Sequence, residues 1–280
     1  MVSHQALFDL AFCQIFEGDV LPVDHSLIKA LGDEIFEALR TRQTLPPITE
    51  RYADFTIDDA YQVSLRILAH RKARGETLIG KKIGVTSFAV QNMLGVDQPD
   101  FGFLLDQMVY EDEMPISETL IQPRAEGELA FVLKKSLVGP GVTDADVIAA
   151  TEWVMPCFEV VDSRIEDWRI KIEDTVADNA SCGLFSMGPK VKPEGLDFPN
   201  LEMTVWKNGE VVAEGKGSAA LGSPVKCVTW LANTLGQYGI TLDAGDVILS
   251  GSWVPLLPVV PGDVMKLEIK GLGLTELRLT

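Results

Sequence analysis

Two glutamates lie two residues apart in the strand-like segment RAEGELAFVL. Because side chains two apart share one face of a strand, Glu126 and Glu128 point the same way, about 7 Å apart along it. The opposite face of the segment carries large apolar side chains, so the composition is that of a buried strand. A buried pair of carboxylates repels itself unless a cation or a proton lies between them.

A third glutamate, Glu159, lies in the apolar segment WVMPCFEVV. A single glutamate in such a place is usually a salt-bridge partner or an edge-strand charge that faces water. Three carboxylates in apolar surroundings favour instead a hard divalent cation, and all-oxygen ligation suits Mg²⁺ or Mn²⁺. Ligation by Glu126, Glu128 and Glu159 would leave about three positions of an octahedron for water and substrate, which is typical of a catalytic site.

A lysine and an aspartate add to this chemistry. Lys82 lies in the apolar segment IGKKIGVTS, where it is either a salt-bridge partner or, beside a carboxylate–metal site, a proton donor or an anion clamp. Its neighbour Lys81 faces the other way along the strand and is expected in solvent. Asp100, in GVDQPDFG, has the local sequence of a turn residue, and that sequence alone assigns it no chemistry.

The composition limits the classes of partner. The chain of 280 residues has 24 basic and 41 acidic side chains and a net charge of −17, which argues against binding nucleic acid or an anionic membrane. No apolar run reaches the length of a membrane span, and the first residues lack the pattern of a secretory signal. We therefore expect a cytoplasmic protein.

The cysteines and histidines exclude other kinds of site. The four cysteines show no spacing typical of a metal site or a disulfide framework, so reduced thiols are expected. All three histidines precede residue 71, far in sequence from the acidic segments. A Ser-His-Asp triad or a histidine-rich zinc site is therefore not expected.

The pattern of elements predicts helices first and strands afterwards. Residues 1 to about 45 have helical apolar spacing, and Thr56 with Asp59 forms a capping-box pattern before a second helix that Gly75 closes. From Leu78 onward the runs are short and β-like.

A hairpin and a helix are predicted in the part of the chain that follows Leu78. Asn208-Gly209 marks a hairpin turn, and one further helix is predicted over 224–238. The prediction is an α+β fold with two parts, a mainly helical region 1–77 and a metal-binding catalytic body 78–280.

Six segments in a fixed order resemble those of a known family. They are KKIGVTS, GVDQPDFG, QPRAEGELAFVL, FEVVDSRIEDW, DTVADNASCG and LDAGDVILSG. Together they resemble the hydratase/decarboxylase branch of the fumarylacetoacetate hydrolase superfamily, from about residue 50 to the C-terminus. The resemblance implies a mixed β-roll body of the fumarylacetoacetate hydrolase type.

The resemblance also implies roles for individual residues. The metal ligands fall at Glu126, Glu128 and Glu159, and the family lysine falls at Lys82. In hydratases the Pro-Asp-aromatic-Gly segment carries an acid implicated in catalysis, which is Asp100 here, whereas the sister decarboxylases tend to have an apolar residue there. The substrate-binding residues implied by the matching segments are Thr86, Ser87, Ser181 and Ser250. The loop SWVPLLPVV departs from the family pattern and leaves the size of the substrate's tail open.

The implied reaction is hydration of 2-hydroxypenta-2,4-dienoate, through its 2-oxo-3-enoate tautomer, to 4-hydroxy-2-oxopentanoate or a close homologue, in the catabolism of aromatic compounds. Three alternatives remain open: a decarboxylase that acts on a 2-oxo dicarboxylate, a hydrolase of C–C bonds, and a non-catalytic partner subunit. The absence of a histidine near the acidic segments disfavours the hydrolase. The resemblance also implies a homo-oligomer, with a sister decarboxylase or a downstream aldolase as further partners.

Overall fold

The computed structural model describes residues 25–280. Its helices are α1 (His25–Thr41), α2 (Ile48–Arg51), α3 (Ile57–Ala73), α4 (Phe88–Leu94), α5 (Ile116–Thr119), α6 (Asp144–Ala150), α7 (Ile172–Ala177) and α8 (Pro224–Gly236). Its strands are β1 (Leu78–Gly84), β2 (Asp100–Leu105), β3 (Val109–Tyr110), β4 (Glu113–Met114), β5 (Arg124–Leu133), β6 (Thr151–Val161), β7 (Leu184–Met187), β8 (Glu202–Lys207), β9 (Glu210–Lys216), β10 (Val247–Leu249), β11 (Leu257–Pro258), β12 (Val264–Ile269) and β13 (Gly273–Leu279). The predicted α+β class, with helices before a β-rich body, is confirmed.

The strands form two mixed sheets. The larger has the order β2-β1-β10-β5-β6-β7-β3, and β11 also pairs with β5. Within it β1 is parallel to β10 and β3 to β7, while the other pairs are antiparallel. The smaller sheet has the order β4-β13-β12-β8-β9. The long antiparallel pair β5–β6 lies inside the larger sheet and carries all three candidate metal ligands.

The N-terminal helices form where the sequence predicts them. Helix α1 buries Leu31, Ile35 and Ala38, which share one face at helical spacing. Helix α3 begins with the predicted capping box of Thr56 and Asp59. The predicted helical residues 1–24 lie outside the described part of the chain.

These helices pack onto the β-rich body through α7. Ile48 and Val63 share one hydrophobic cluster with Ile172 and Val176 of α7. The division of the chain at residue 77 stays a prediction, and this cluster crosses it.

The predicted hairpin and the last helix are confirmed. Asn208 (φ 53°) and Gly209 (φ 85°) both adopt the left-handed conformation between β8 and β9, which suits the right-handed twist of the two strands. Helix α8 covers Pro224–Gly236, two residues short of the predicted end.

The expectation that Lys81 is solvated is wrong. Lys81 is 2% exposed, and its Nζ donates to Asp246 Oδ2 at 2.9 Å. Strand β1 is paired at both edges, by β2 and by β10, and Lys81 and Lys82, which point to opposite faces of it, are both buried. A buried ammonium requires a partner, and Asp246 supplies it.

Three cysteines of the described chain, Cys157, Cys182 and Cys227, are buried and free. Cys13 lies outside the described residues. Among residues 25–280, no helix is both long enough and apolar enough to cross a lipid bilayer.

Candidate active site

The register of the β5–β6 pair brings the three glutamates together. Glu126 on β5 is directly opposite Glu159 on β6, and Glu128 follows on the same face of β5. One carboxylate oxygen from each of the three lies within 4.8 Å of the other two. Glu128 and Glu159 are fully buried, so the centre is closed to bulk water on the sheet side.

Burial disfavours the charged forms of these carboxylates. It raises the pKa of Glu126 to about 7, against the attraction of Lys82. Burial, and then the charges of Glu159 and Glu126, raise the pKa of Glu128 well above its usual value. Burial also raises the pKa of Glu159, which Lys82 opposes. Positive charge placed between the three would favour their ionised forms.

Several carboxylate oxygens at this centre have no hydrogen-bond partner, and they indicate whether a metal ion fits there. Glu128 Oε1 and both carboxylate oxygens of Glu159 are buried and have no hydrogen-bond partner. Folded proteins rarely leave such atoms unsatisfied. Glu128 Oε2 accepts a hydrogen bond of 2.8 Å from the backbone N–H of Gly251, which fixes the carboxylate's orientation. These residues fit a hard divalent cation held by carboxylate oxygens.

Lys82 and Asp100 lie beside the acidic centre. Lys82 Nζ donates to the carbonyl of Ala180 at 3.0 Å and lies 3.5 Å from Glu159 Oε2. Burial alone would lower the pKa of Lys82, but the charges of Glu159, Glu126 and Asp100 outweigh it and raise that pKa. The amine is therefore a cation in this environment.

Asp100 is the first residue of β2, opposite Gly84 of β1, rather than an exposed turn residue. It is 2% exposed, and its Oδ1 has no hydrogen-bond partner. A Cβ atom on Gly84 would lie 2.3 Å from Asp100 Oδ1 and 3.2 Å from Lys82 Nζ, so only a glycine at this position leaves room for both charged groups. Burial raises the pKa of Asp100, while Lys82 opposes the increase.

A cavity of about 690 Å³ opens onto these groups. Lys82, Asp100 and Glu126 form part of its lining, together with Arg124. Much of the remaining wall is apolar and includes Val90, Leu94, Trp253, Val254, Pro255 and Leu256. Val90 and Leu256 are more than a third exposed, so they lie at the open side, whereas Lys82 and Asp100 are buried at the base.

The four hydroxyl residues predicted to bind substrate occupy different places. Thr86, Ser87 and Ser181 line the cavity. Ser87 Oγ also accepts from the N–H of Val90 and so caps α4, and Ser181 Oγ lies 3.0 Å from Thr175 Oγ1. Ser250 is fully buried, and its Oγ donates to the carbonyl of Leu129 on β5 at 2.8 Å, so it holds the loop that reaches Glu128. Substrate binding by these residues stays a prediction.

The positioning of Lys82 is not evident from the sequence. Asn179, Ala180 and Ser181 all have positive φ, a backbone path that turn-like local sequence does not reveal. The side chain of Asn179 accepts from the N–H of Phe103 at 2.8 Å and donates to its carbonyl at 3.1 Å, which ties this segment to β2. The carbonyl of Ala180 is thereby placed to receive Lys82.

The sheet and its acidic centre define an α+β protein with a candidate carboxylate site for a divalent cation, and sequence comparisons agree. Residues 90–280 match the model of the family described as fumarylacetoacetate (FAA) hydrolase C-terminal. A 2-hydroxypent-2,4-dienoate hydratase of Pseudomonas putida is 64% identical over 221 residues, which is 78% of this chain and all of that protein. A 2-hydroxyhexa-2,4-dienoate hydratase of Comamonas testosteroni is 55% identical over 92% of this chain and 99% of its own length.

A solved structure is similar over most of this chain. The 4-oxalocrotonate decarboxylase of Pseudomonas putida G7, complexed with magnesium and adipate, superposes with a TM-score of 0.89 at 36% identity, covering 92% of this chain and 99% of its own. The chain belongs to the fumarylacetoacetate hydrolase family, and the resemblance noted in the sequence is confirmed.

Proposed function

We propose that this protein is a lyase, a hydratase that adds water to 2-hydroxypenta-2,4-dienoate or a close homologue to give a 4-hydroxy-2-oxo acid. The observation that carries the proposal is that Asp100 and Lys82 both lie buried next to Gly84, beside the three glutamates and in one cavity. The relatives that cover most of this chain at 55% and 64% identity are named as hydratases of such dienoates.

Glu126, Glu128 and Glu159 would hold the cation, and we propose Mg²⁺ or Mn²⁺ because all three ligands are hard carboxylate oxygens. A divalent cation at this position supplies Lewis-acid polarisation of a 2-oxo acid's keto group. The magnesium in the structure of the related decarboxylase supports this choice.

Asp100 and Lys82 have separate roles in the proposed reaction. The dienol first becomes the 2-oxo-3-enoate by moving a proton from its hydroxyl oxygen to C5. Water then adds at C4: Asp100 accepts a proton from the water as the C4–O bond forms, and the C3–C4 π electrons shift toward the keto oxygen. The ammonium of Lys82 stabilises the negative charge on that oxygen, and transfer of the proton from Asp100 to C3 completes the addition. Because burial raises the pKa of Asp100, its carboxylate is a stronger base than an exposed aspartate.

Product analysis tests the reaction. Purified protein with Mg²⁺ or Mn²⁺ is expected to convert enzymatically generated 2-hydroxypenta-2,4-dienoate to 4-hydroxy-2-oxopentanoate, identified by mass spectrometry. The main alternative is decarboxylation, which the likeness to 4-oxalocrotonate decarboxylase favours. Release of CO₂ from a 2-oxo dicarboxylate without hydration would establish that alternative, and no turnover of either substrate would favour a non-catalytic partner subunit.

Lys82→Met is expected to lower kcat by about 10²–10³-fold while substrate affinity changes little, because the lost charge stabilises the transition state more than the bound substrate. Steady-state kinetics on metal-loaded protein measures both quantities. Lys81→Met is the matched control, because this neighbouring buried lysine pairs with Asp246 instead. It is expected to lower the melting temperature and leave kcat unchanged. Equal loss of kcat in both variants would contradict the role of Lys82.

We also propose a cytoplasmic setting in the catabolism of aromatic compounds and assembly as a homo-oligomer, with a sister decarboxylase or a downstream aldolase as further partners. The names of the relatives, which are dienoate hydratases, support the reaction on which this metabolic role depends. Light scattering at micromolar concentration tests the assembly, and a monomer there would contradict it.

A further inference from the structure

Arg124 differs from the other arginines that the structure describes. Among residues 25–280, every other arginine that is at least half-buried has a carboxylate partner; these pairs are Arg51–Glu34, Arg66–Asp33, Arg71–Glu76 and Arg164–Asp178. Arg124 is half-buried, lines the cavity, and has no acidic partner in the described chain. Its guanidinium lies instead over the ring of Trp168, 4.5 Å from the ring centroid. A cation in this position is available to an anionic ligand.

The ring beneath Arg124 is held in place. Trp168 Nε1 donates to the carbonyl of Gln122 at 3.1 Å. The side chain of Gln122 in turn donates to the carbonyls of Ser163 and Ile165 at 2.9 and 2.8 Å. The guanidinium therefore rests on a fixed surface, which lowers the entropy lost when it binds a ligand.

The position of Arg124 along β5 directs it toward the acidic centre. It precedes Glu126 by two residues, so both side chains share one face of the strand about 7 Å apart. Glu126 itself is opposite Glu159. A 2-oxo acid that chelates a cation at these glutamates carries its carboxylate next to the cation, within the span of a long arginine side chain.

The balance of charges at the base of the cavity also supports a role for Arg124. Glu126, Glu128, Glu159 and Asp100 carry four negative charges when ionised, whereas a divalent cation and Lys82 supply three positive charges. The remaining negative charge would repel an anionic substrate in this low-dielectric environment. Arg124 cancels it, and its side-chain N–H groups have no hydrogen-bond acceptor among residues 25–280, whereas Lys82 already contacts Ala180 and Glu159.

We propose that Arg124 binds the C1 carboxylate of the substrate through paired N–H donors, with Trp168 as its positioning residue; this rests on the proposed action on a 2-oxo or 2-hydroxydienoic acid. The assignment also defines the substrate class. With Arg124 and Lys82 engaged at C1 and C2, the rest of the lining that the described residues form offers no cation for a second carboxylate. The apolar wall of Val254, Pro255 and Leu256 then takes an uncharged hydrocarbon tail.

Binding of inert analogues tests the proposal without turnover. Isothermal titration calorimetry of Mg²⁺-loaded protein is carried out with 2-oxopentanoate and with its neutral amide, 2-oxopentanamide. Arg124→Met is expected to weaken binding of the acid by about 10- to 100-fold, as for a lost charged hydrogen-bond pair, and to leave binding of the amide unchanged. Arg124→Lys is expected to restore part of the loss, because lysine keeps the charge but not the paired donors.

Two controls separate this role from a structural one. Arg169→Met removes an exposed arginine that pairs with Glu50 and Glu166 and is expected to change neither affinity. Trp168→Leu is expected to reduce the preference for acid over amide, and Trp168→Phe to restore most of it, since the ring provides the surface. Mg²⁺ affinity is expected to stay the same in the Arg169 and Trp168 variants and not to fall in Arg124→Met, which removes a positive charge near the cation.

Three results would overturn the proposal. They are unchanged binding of 2-oxopentanoate by Arg124→Met, an equal loss for the acid and the amide, and a loss confined to the dicarboxylate 2-oxoadipate. The last result would place Arg124 at the tail of the substrate. Because the probes are inert, this outcome is independent of whether the product analysis finds hydration.

Discussion

Asp100→Asn is expected to fold, to keep its metal and to lose turnover by at least about a hundredfold, the lower range for general acid–base catalysis. The asparagine side chain has nearly the same shape but cannot accept the proton of the attacking water. Binding of 2-oxopentanoate is expected to change little, because the proposed role of Asp100 begins when water adds. Single-turnover kinetics together with calorimetry separates the two steps.

Asp97→Asn is the matched control for this prediction. Asp97 precedes Asp100 by three residues in the same segment but is exposed. Its substitution is expected to leave kcat unchanged. Thermal melts and metal titration of both variants exclude unfolding as the cause of lost activity. If Asp100→Asn turns over like the wild type, Asp100 has no part in the mechanism, and the main sequence argument for hydration over decarboxylation is lost.

Metal removal is expected to have an equally large effect. EDTA is expected to abolish activity, and Mg²⁺ or Mn²⁺ to restore it. Glu128→Gln is expected to weaken metal binding by at least about a hundredfold, because one unit charge about 4 Å from another is worth about 4 kcal/mol at an effective dielectric constant of 20. Fluorescence or calorimetric titration with Mn²⁺ measures this loss.

Glu128→Gln is also expected to change the thermal stability of the protein. Without metal, Glu128→Gln is expected to melt at or above the wild-type temperature, because it removes one buried charge from three that repel. With metal at 100 times its Kd, the wild type gains about 2.7 kcal/mol, and the variant is expected to gain much less at that concentration. Glu268→Gln, an exposed change on β12, is the control. Full activity of metal-free wild type would contradict the proposed site.

Local patterns were sufficient for much of the fold. The capping box at Thr56 and Asp59 and the Asn208-Gly209 turn depend on residues within a few positions of one another, and both are present. Their geometry is fixed by short-range hydrogen bonds and backbone sterics, so the sequence predicts them directly. The same holds for Glu126 and Glu128, which the period of a strand places on one face.

Burial was predicted less well, because it depends on which elements cover a segment. Asp100 has the sequence of a turn, yet the pairing of β2 with β1 makes it the buried start of a strand. The sequence predicts Lys81 in water, yet β10 pairs with β1. This pairing brings Asp246 to Lys81, from which it is 165 residues away in sequence. Neither outcome has a local signal.

The sequence by itself thus determined the chemical inventory: three carboxylates in apolar segments, a functional lysine candidate in another, and no histidine near them in sequence. Tertiary structure alone decided that Glu159 lies opposite Glu126, that the carbonyl of Ala180 accepts from Lys82, and that Arg124 has no acidic partner within residues 25–280. The physical reason is that desolvation and Coulomb interactions act through space, between groups that the chain separates by tens of residues. Residue types and spacing show which charges are present, and only the folded chain shows which of them are neutralised and which remain available to a ligand.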